Sequence, residues 1–216
     1  MEIIGYNYFN FPITDAIFSV DDVAWTTQIP DMNGKREKAE LAITFSDGSM
    51  EQFTPKQFHL HAPSEHSVDG KLYDAEIHLV HVYKGVSPDA YGAVIGIFFD
   101  RKEGGTEENA FLKSLFDSVE AKNDQSPDTL VDAQLNDFVK YVDMTRYWSY
   151  DGSFTTPPCT EGIKWTVIQQ VQSISEEQLK KITGRLAGDS SFAEGKGNNR
   201  IVQDHFERTL FYTGEV

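Results

Sequence analysis

Apolar positions along the chain recur mostly at the two-residue spacing of strands. Segments rich in β-branched and aromatic residues cover 39–45, 57–61, 75–83, 91–99, 163–171 and 208–212, and each is expected to form a strand. Turn signals separate them: Ser46-Asp47-Gly48, Asp69-Gly70, Gly104-Gly105 and Asp151-Gly152. Two stretches switch to the helical period. Within 107–119, Phe111, Leu112, Leu115 and Phe116 fall on one face. Ser175 and Gln178 read as a capping box that opens a second helix carrying Leu179 and Ile182. With no internal repeat and no low-complexity linker, the pattern predicts one domain over 1–216, mainly β with a few peripheral helices.

Composition narrows what such a domain can do. Hydrophobic residues make up 39% of the chain, with 15 Phe, 9 Tyr and 3 Trp, enough to fill one large core. A formal net charge of −15 repels phosphate backbones and anionic lipid, so nucleic-acid and membrane partners are not expected. No stretch approaches the roughly 20 apolar residues that cross a bilayer. The first eighteen residues carry Glu2, Asn7, Asn10 and Asp15, which reads as neither signal peptide nor anchor. The single cysteine, Cys159, rules out an intrachain disulfide and a thiolate metal cluster. Any metal falls to histidines and carboxylates.

Five of the six histidines lie between positions 59 and 81. On a strand His59 and His61 share a face, about 6.6 Å apart along the chain. A neighbouring strand can bring His78 to the same face. Three imidazoles on rigid strands suit a zinc ion and leave its fourth tetrahedral position to water. Such ligands need partners for their second ring nitrogens, and Gln57 and Glu76 stand two residues before His59 and His78. His66 and His81 have the wrong parity for the metal face and read as buried, hydrogen-bonded structural histidines. His205 reads as a surface residue.

The runs 57–61, 64–66 and 76–81 resemble the signature of the alpha-class carbonic anhydrases. Residues 147–162 resemble that family's loop ending in Thr-Thr-Pro-Pro, here Thr155-Thr156-Pro157-Pro158, followed by a strand with Trp165. Asn198-Asn199-Arg200 is similar to the family's late Asn-x-Arg. The resemblance implies a twisted, mostly antiparallel central sheet and reversible hydration of carbon dioxide to bicarbonate and a proton by zinc-bound hydroxide. It implies His59, His61 and His78 as zinc ligands, with Gln57, Glu76 and the Asn198 backbone orienting them. Thr155 would orient the hydroxide and pass its own proton toward Glu65. Val80, Val94, Phe154, Ile163 and Trp165 would form the apolar pocket for carbon dioxide, and Thr156 would help hold bicarbonate.

The chain departs from that family in four places. The family's N-terminal stretch of several dozen residues is not visible, and the chain is expected to lack it. No histidine stands in 20–26, where relatives carry a proton shuttle, so none is assigned; Asp21 and Asp22 are the only ionisable groups there. Cys159 lacks the partner that secreted members pair with it, although family habit still favours an extracellular or lumenal setting. Phe154 replaces the usual leucine in the pocket wall. The competing reading is a carbonic-anhydrase-like binding or structural domain with impaired catalysis.

Overall fold

The computed structural model describes residues 3–8, 13–20, 25–29, 41–45, 48–83, 92–121, 129–133, 135–186 and 197–213. In chain order the elements are β1 (Ile3–Tyr8), β2 (Ile13–Val20), β3 (Trp25–Gln28), β4 (Leu41–Phe45), β5 (Met50–His61), β6 (Ser67–Val68), β7 (Lys71–Leu72), β8 (Ala75–Tyr83) and β9 (Gly92–Phe99). They continue with α1 (Ala110–Ala121), β10 (Thr129–Ala133), α2 (Leu135–Val139), β11 (Tyr147–Ser153), β12 (Glu161–Gln172), α3 (Glu176–Leu186) and β13 (Phe211–Thr213). Eleven strands form one sheet in the order β10-β2-β3-β5-β8-β9-β12-β11-β13, with β4 paired to both β1 and β5. Every pair in it is antiparallel except β9 with β12. β6 and β7 form a separate hairpin closed by Asp69 and Gly70, whose φ of 50° and 77° are those of a type I′ turn.

β5 carries the candidate site, and a bulge decides which way its histidines face. Phe53 and Phe58 both lie in the main core, although an odd spacing would put them on opposite faces of a regular strand. The pairing with β8 slips between Pro55 and Gln57, and Pro55 has no N–H to give a ladder. The extra residue reverses the alternation. Beyond it Phe58 and Leu60 enter the core, and His59 and His61 turn to the other face.

The main core is closed by α1, whose Phe111, Leu112, Leu115, Phe116 and Val119 are all buried. On the histidine face a smaller apolar cluster of Val80, Val94, Ile163 and Trp165 forms, with Tyr150 and Phe154 packed on it.

Several boundaries differ from the sequence expectation. The strand expected at 57–61 begins at Met50, because Pro55 is absorbed by the bulge instead of ending the strand. Asp151-Gly152 is not a turn: both residues sit inside β11, opposite Lys164 and Ile163. Gly152 is there for space, since a Cβ would meet Tyr150 at 2.7 Å and Trp165 at 2.9 Å. The last strand is Phe211–Thr213 instead of 208–212. Before it the chain reverses at His205–Arg208, where Phe206 and Glu207 take φ of 44° and 66° and Arg208 N–H donates to His205 O at 2.8 Å. A left-handed turn without glycine leaves no signal in the sequence. The first helix starts at Ala110, not 107, because Asn109 Oδ1 accepts from Phe111 and Leu112 N–H and caps it. Of the expected features, 39–40, Ser46, Asp47, Tyr91 and the 21–24 part of the shuttle region lie outside the described residues.

The Ser175 capping box forms, and one side chain extends it. Ser175 Oγ accepts from Gln178 N–H and Gln178 Oε1 accepts from Ser175 N–H, both at 3.2 Å. The same Oε1 accepts from Asn109 N–H at 2.9 Å, and Gln178 Nε2 donates to Asn109 O at 2.8 Å. One buried amide thus clamps the starts of α1 and α3. Gln178→Ala leaves these backbone groups without partners, at about 1–3 kcal/mol for a buried unpaired group. Urea denaturation should show a loss of about 2–3 kcal/mol at unchanged slope; an unmoved midpoint would show that the clamp contributes nothing.

Candidate metal centre

His59 on β5 stands directly opposite His78 on β8 in the antiparallel register, and His61 lies two residues along the same face of β5. Their ring centroids are 4.8 Å (His59–His61), 5.1 Å (His59–His78) and 4.6 Å (His61–His78) apart. Ligand nitrogens of the three all lie within 4.8 Å of one another. His61 and His78 are each 1% exposed, while His59 is half-buried and forms the open side.

The outward nitrogens fix which nitrogens face the centre. His59 Nδ1 is 2.8 Å from Gln57 Oε1 and His61 Nδ1 is 3.2 Å from the Asn198 carbonyl. A carbonyl oxygen only accepts, so both Nδ1 atoms carry the proton and both Nε2 atoms keep a lone pair. His78 Nε2 lies 3.0 Å from Glu76 Oε1, an ion-pair contact without hydrogen-bond alignment. His78 Nδ1 and His59 Nε2 then face each other at 3.2 Å, and His61 Nε2 is buried with no hydrogen-bond partner. With the His78 proton on Nε2, toward Glu76, three lone pairs would converge where a cation could sit. The donor set of three neutral imidazoles is one that zinc accepts. Burial, then the neighbouring imidazoles, hold His59 well below its ordinary pKa; burial and His78 bring His61 to about 4. Both rings are therefore neutral and ready to ligate near pH 7.

Asn198 is stitched to the end of β5. Its Nδ2 donates to Leu60 O and its Oδ1 accepts from Ala62 N–H, each at 3.0 Å. Gly197 before it has φ 127°, and a Cβ there would lie 2.3 Å from Ala62 O. That approach brings the 198 carbonyl to His61.

Glu76 is fully buried and does more than face His78. Its Oε1 accepts from His66 Nδ1 at 2.7 Å, and its Oε2 accepts from the backbone N–H of Glu65 and His66 at 2.9 and 3.0 Å. Burial alone would raise this carboxyl, but His66 and His78 outweigh it and hold it well below the ordinary range. Burial would likewise lower His66, yet Glu76 wins and raises it. The far nitrogen of His66 bonds Tyr150 OH at 2.7 Å. Strand parity was the wrong test for His66, because the chain leaves β5 at His61; the residue is half-buried and faces the site's own carboxylate. The parity argument holds for His81, which is fully buried on the core side of β8. His205 is exposed.

Glu65 Oε1 accepts from Arg200 N–H at 2.7 Å. Its buried Oε2 has no hydrogen-bond partner and lies 3.5 Å from His61 Nε2 and 3.8 Å from His78 Nδ1. The expected bond from Thr155 to Glu65 is therefore not formed at that oxygen, which is turned toward the imidazoles. Thr155 is half-buried and Thr156 exposed, in the segment after β11. The structure does bring Val80, Val94, Ile163, Trp165 and Phe154 together. Register explains it: Val80 pairs with Val94 and Val94 with Trp165, on the face that His78 occupies two residues before Val80. Trp165 lies 4.8 Å from the His78 ring. Cys159 is a free, half-buried thiol at φ 58°. The contacts of His66 and Tyr150 went unread in the sequence, since they join a loop to a strand 84 residues away.

Residues 20–214 match the family model of the eukaryotic-type carbonic anhydrases. Alpha carbonic anhydrase 4 of Arabidopsis thaliana is 32% identical over 207 residues, which cover 89% of this chain and 69% of that protein. The chain spans about half to two thirds of the length of the curated relatives it matches. Among solved structures, a halotolerant carbonic anhydrase from Dunaliella salina superposes with a TM-score of 0.75 at 27% identity, covering 95% of this chain and 74% of that one. A dioscorin crystallised with ascorbate gives 0.72 at 25%, covering 99% and 80%.

Proposed function

We propose that this chain, which belongs to the eukaryotic-type carbonic anhydrase family, binds zinc through His59, His61 and His78 and interconverts carbon dioxide and bicarbonate. The observation that carries the reading is the inward-facing trio of ring nitrogens, each ring held from behind by Gln57, Asn198 or Glu76. When bound there, zinc supplies Lewis acidity that lowers the pKa of a coordinated water from 15.7 to about 7, carbonic anhydrase being the reference case.

The remaining steps belong to the chain. Neutral imidazoles leave the full metal charge available, and their fixed tautomers keep the ring lone pairs aimed inward. Carbon dioxide is uncharged and a poor hydrogen-bonding partner, so the wall of Val80, Val94, Phe154, Ile163 and Trp165 suits it. Thr155 would accept a hydrogen bond from the attacking oxygen if its own proton went to the unpartnered oxygen of Glu65. That pairing would fix the direction of attack. Thr156 is assigned to holding bicarbonate. Glu65 is kept in place by Arg200 N–H on its other oxygen.

The second reading is a binding domain of the same fold without turnover, and the likeness to dioscorin favours it. Metal content and stopped-flow hydration on one sample separate the two. About one zinc per chain with catalysed hydration is the expected result; metal-free protein, or a zinc protein without turnover, would sink the enzymatic reading. No proton relay is assigned, since residues 20–26 offer only Asp21 and Asp22, and an aspartate, with its unperturbed pKa of about 4, is a poor proton acceptor at pH 7. Turnover should therefore rise with imidazole buffer concentration at fixed pH. Fast turnover indifferent to buffer would show another relay.

A further inference from the structure

Eight large apolar side chains are exposed among the described residues, and five of them, Ile201, Val202, Phe206, Leu210 and Tyr212, stand within one short stretch. The other three, Met50, Leu72 and Tyr141, lie in separate parts of the chain. Scattered exposed apolar residues are ordinary, whereas a run of them marks an interaction surface. This run folds back on itself at the His205–Arg208 turn, with Ile201 83% and Phe206 69% exposed.

The run ends in β13, the last strand in the sheet order, which pairs with β11 alone among the described residues. Native sheets blunt such an edge with lysine, proline, an inward charge or a bulge. Phe211-Tyr212-Thr213 carries no charge and no proline, and its register with β11 is unbroken. The strand is also firmly held from the inner side. Thr213 Oγ1 accepts from Tyr147 N–H at 3.2 Å and donates to Thr145 O at 2.8 Å, and Thr213 O accepts from Gln169 Nε2 at 3.1 Å. A partner strand thus meets an edge already ordered, which lowers the entropy lost on docking. Tyr212 stands opposite Trp148, which packs on the apolar cluster of Tyr73, Phe98 and Val167.

Charge says which partner fits. The whole chain stands at −15, but 197–213 sets Arg200 and Arg208 against Asp204 and Glu207, a net of zero. A strongly acidic or basic partner finds no field of opposite sign here. Two copies of the chain find a strip where they do not repel. An antiparallel edge is also self-complementary: a two-fold axis at Tyr212 sets Tyr212 against its own copy, and Phe211 against Thr213 in both directions. We propose that β13 is a self-association edge, through which two copies of this chain join their sheets antiparallel about Tyr212, with Leu210 packed beside the seam. The contact needs no metal and is independent of the catalytic reading.

Sedimentation velocity across a concentration series tests this. The parent chain should show a monomer–dimer equilibrium that tightens as added salt screens the charge of the two copies. Tyr212→Lys and Tyr212→Glu, each alone, set like charges across the axis. Each should weaken the dimer by about 30-fold or more, the scale of losing an aromatic anchor. An equimolar mixture of the two should recover it, because opposite charges then face each other. Leu210→Glu, at a position 59% exposed, lies outside β13. It should weaken the dimer while the urea midpoint of dilute protein stays put, so the edge is still read if Tyr212 proves necessary for folding. A parent that stays monomeric at every concentration would overturn the proposal and leave the strip to a strand of different origin. A dimer that ignores all three substitutions, or that the Lys and Glu mixture does not restore, would overturn it equally.

Discussion

His78→Ala is expected to leave a protein that holds no zinc after dialysis and hydrates carbon dioxide no faster than buffer. Of the three proposed ligands, His78 alone comes from β8. It is 1% exposed, sits opposite His59 in the ladder, is backed by Glu76 and lies against Trp165. Removing it leaves two imidazoles on one strand, fewer than the three protein ligands of a catalytic zinc site. It also takes one partner from the buried Glu76, although His66 and two backbone donors remain, so the fold should survive in weakened form. A second consequence follows by mass action. Zinc should raise the urea midpoint of the parent chain and leave that of the variant unchanged, since a ligand stabilises only the state that binds it. Full zinc retention by the variant would move the site away from these three residues.

Thr155→Ala should cut turnover by about 100-fold, the scale for losing one preorganised hydrogen-bonding group, while zinc content stays at the parent value. The case starts from Glu65. A buried carboxylate oxygen without a donor is costly, and Glu65 Oε2 is such an oxygen, aimed at ring nitrogens of His61 and His78. A threonine hydroxyl has one proton to give and lone pairs to accept with. If that proton goes to Glu65, the hydroxyl can only accept from the attacking group. Serine at 155 keeps this arrangement and should restore most of the rate; valine, with the same shape and no hydroxyl, should not. Unchanged turnover in the alanine variant would remove Thr155 from the mechanism.

The central strands and the ligand trio were legible because both depend on a period of two. The alternation over 75–83 matches β8 to the residue, and the three histidines needed only strand parity and one neighbouring strand. Two things hid the rest. Gln57–His61 reads as a short strand in sequence; the bulge that carries the chain through Pro55, and reverses its faces, is a property of pairing with β8. Asp151-Gly152 resembles a turn, yet its glycine answers the crowding of Tyr150 and Trp165 across the sheet. The bond between His66 and Tyr150 joins residues that share no period. Nothing in a single strand's pattern points to it.

The spacing of the site along the chain sets an order in which it can assemble. His59 and His78 are 19 residues apart, but the Asn198 carbonyl that holds His61 is 137 residues away from it. Loop-closure entropy makes the second contact dearer by about 2 kcal/mol. The parallel pairing of β9 with β12, the only one among the described residues, also waits on a long excursion of chain. Pairing of β5 with β8 therefore gathers all three imidazoles while the apolar wall and the Asn198 segment are still unplaced. In folding time, then, the three imidazoles are first gathered on a loose hairpin, and selective retention of a metal by them would wait on the last stage of folding, when the distant segments dock.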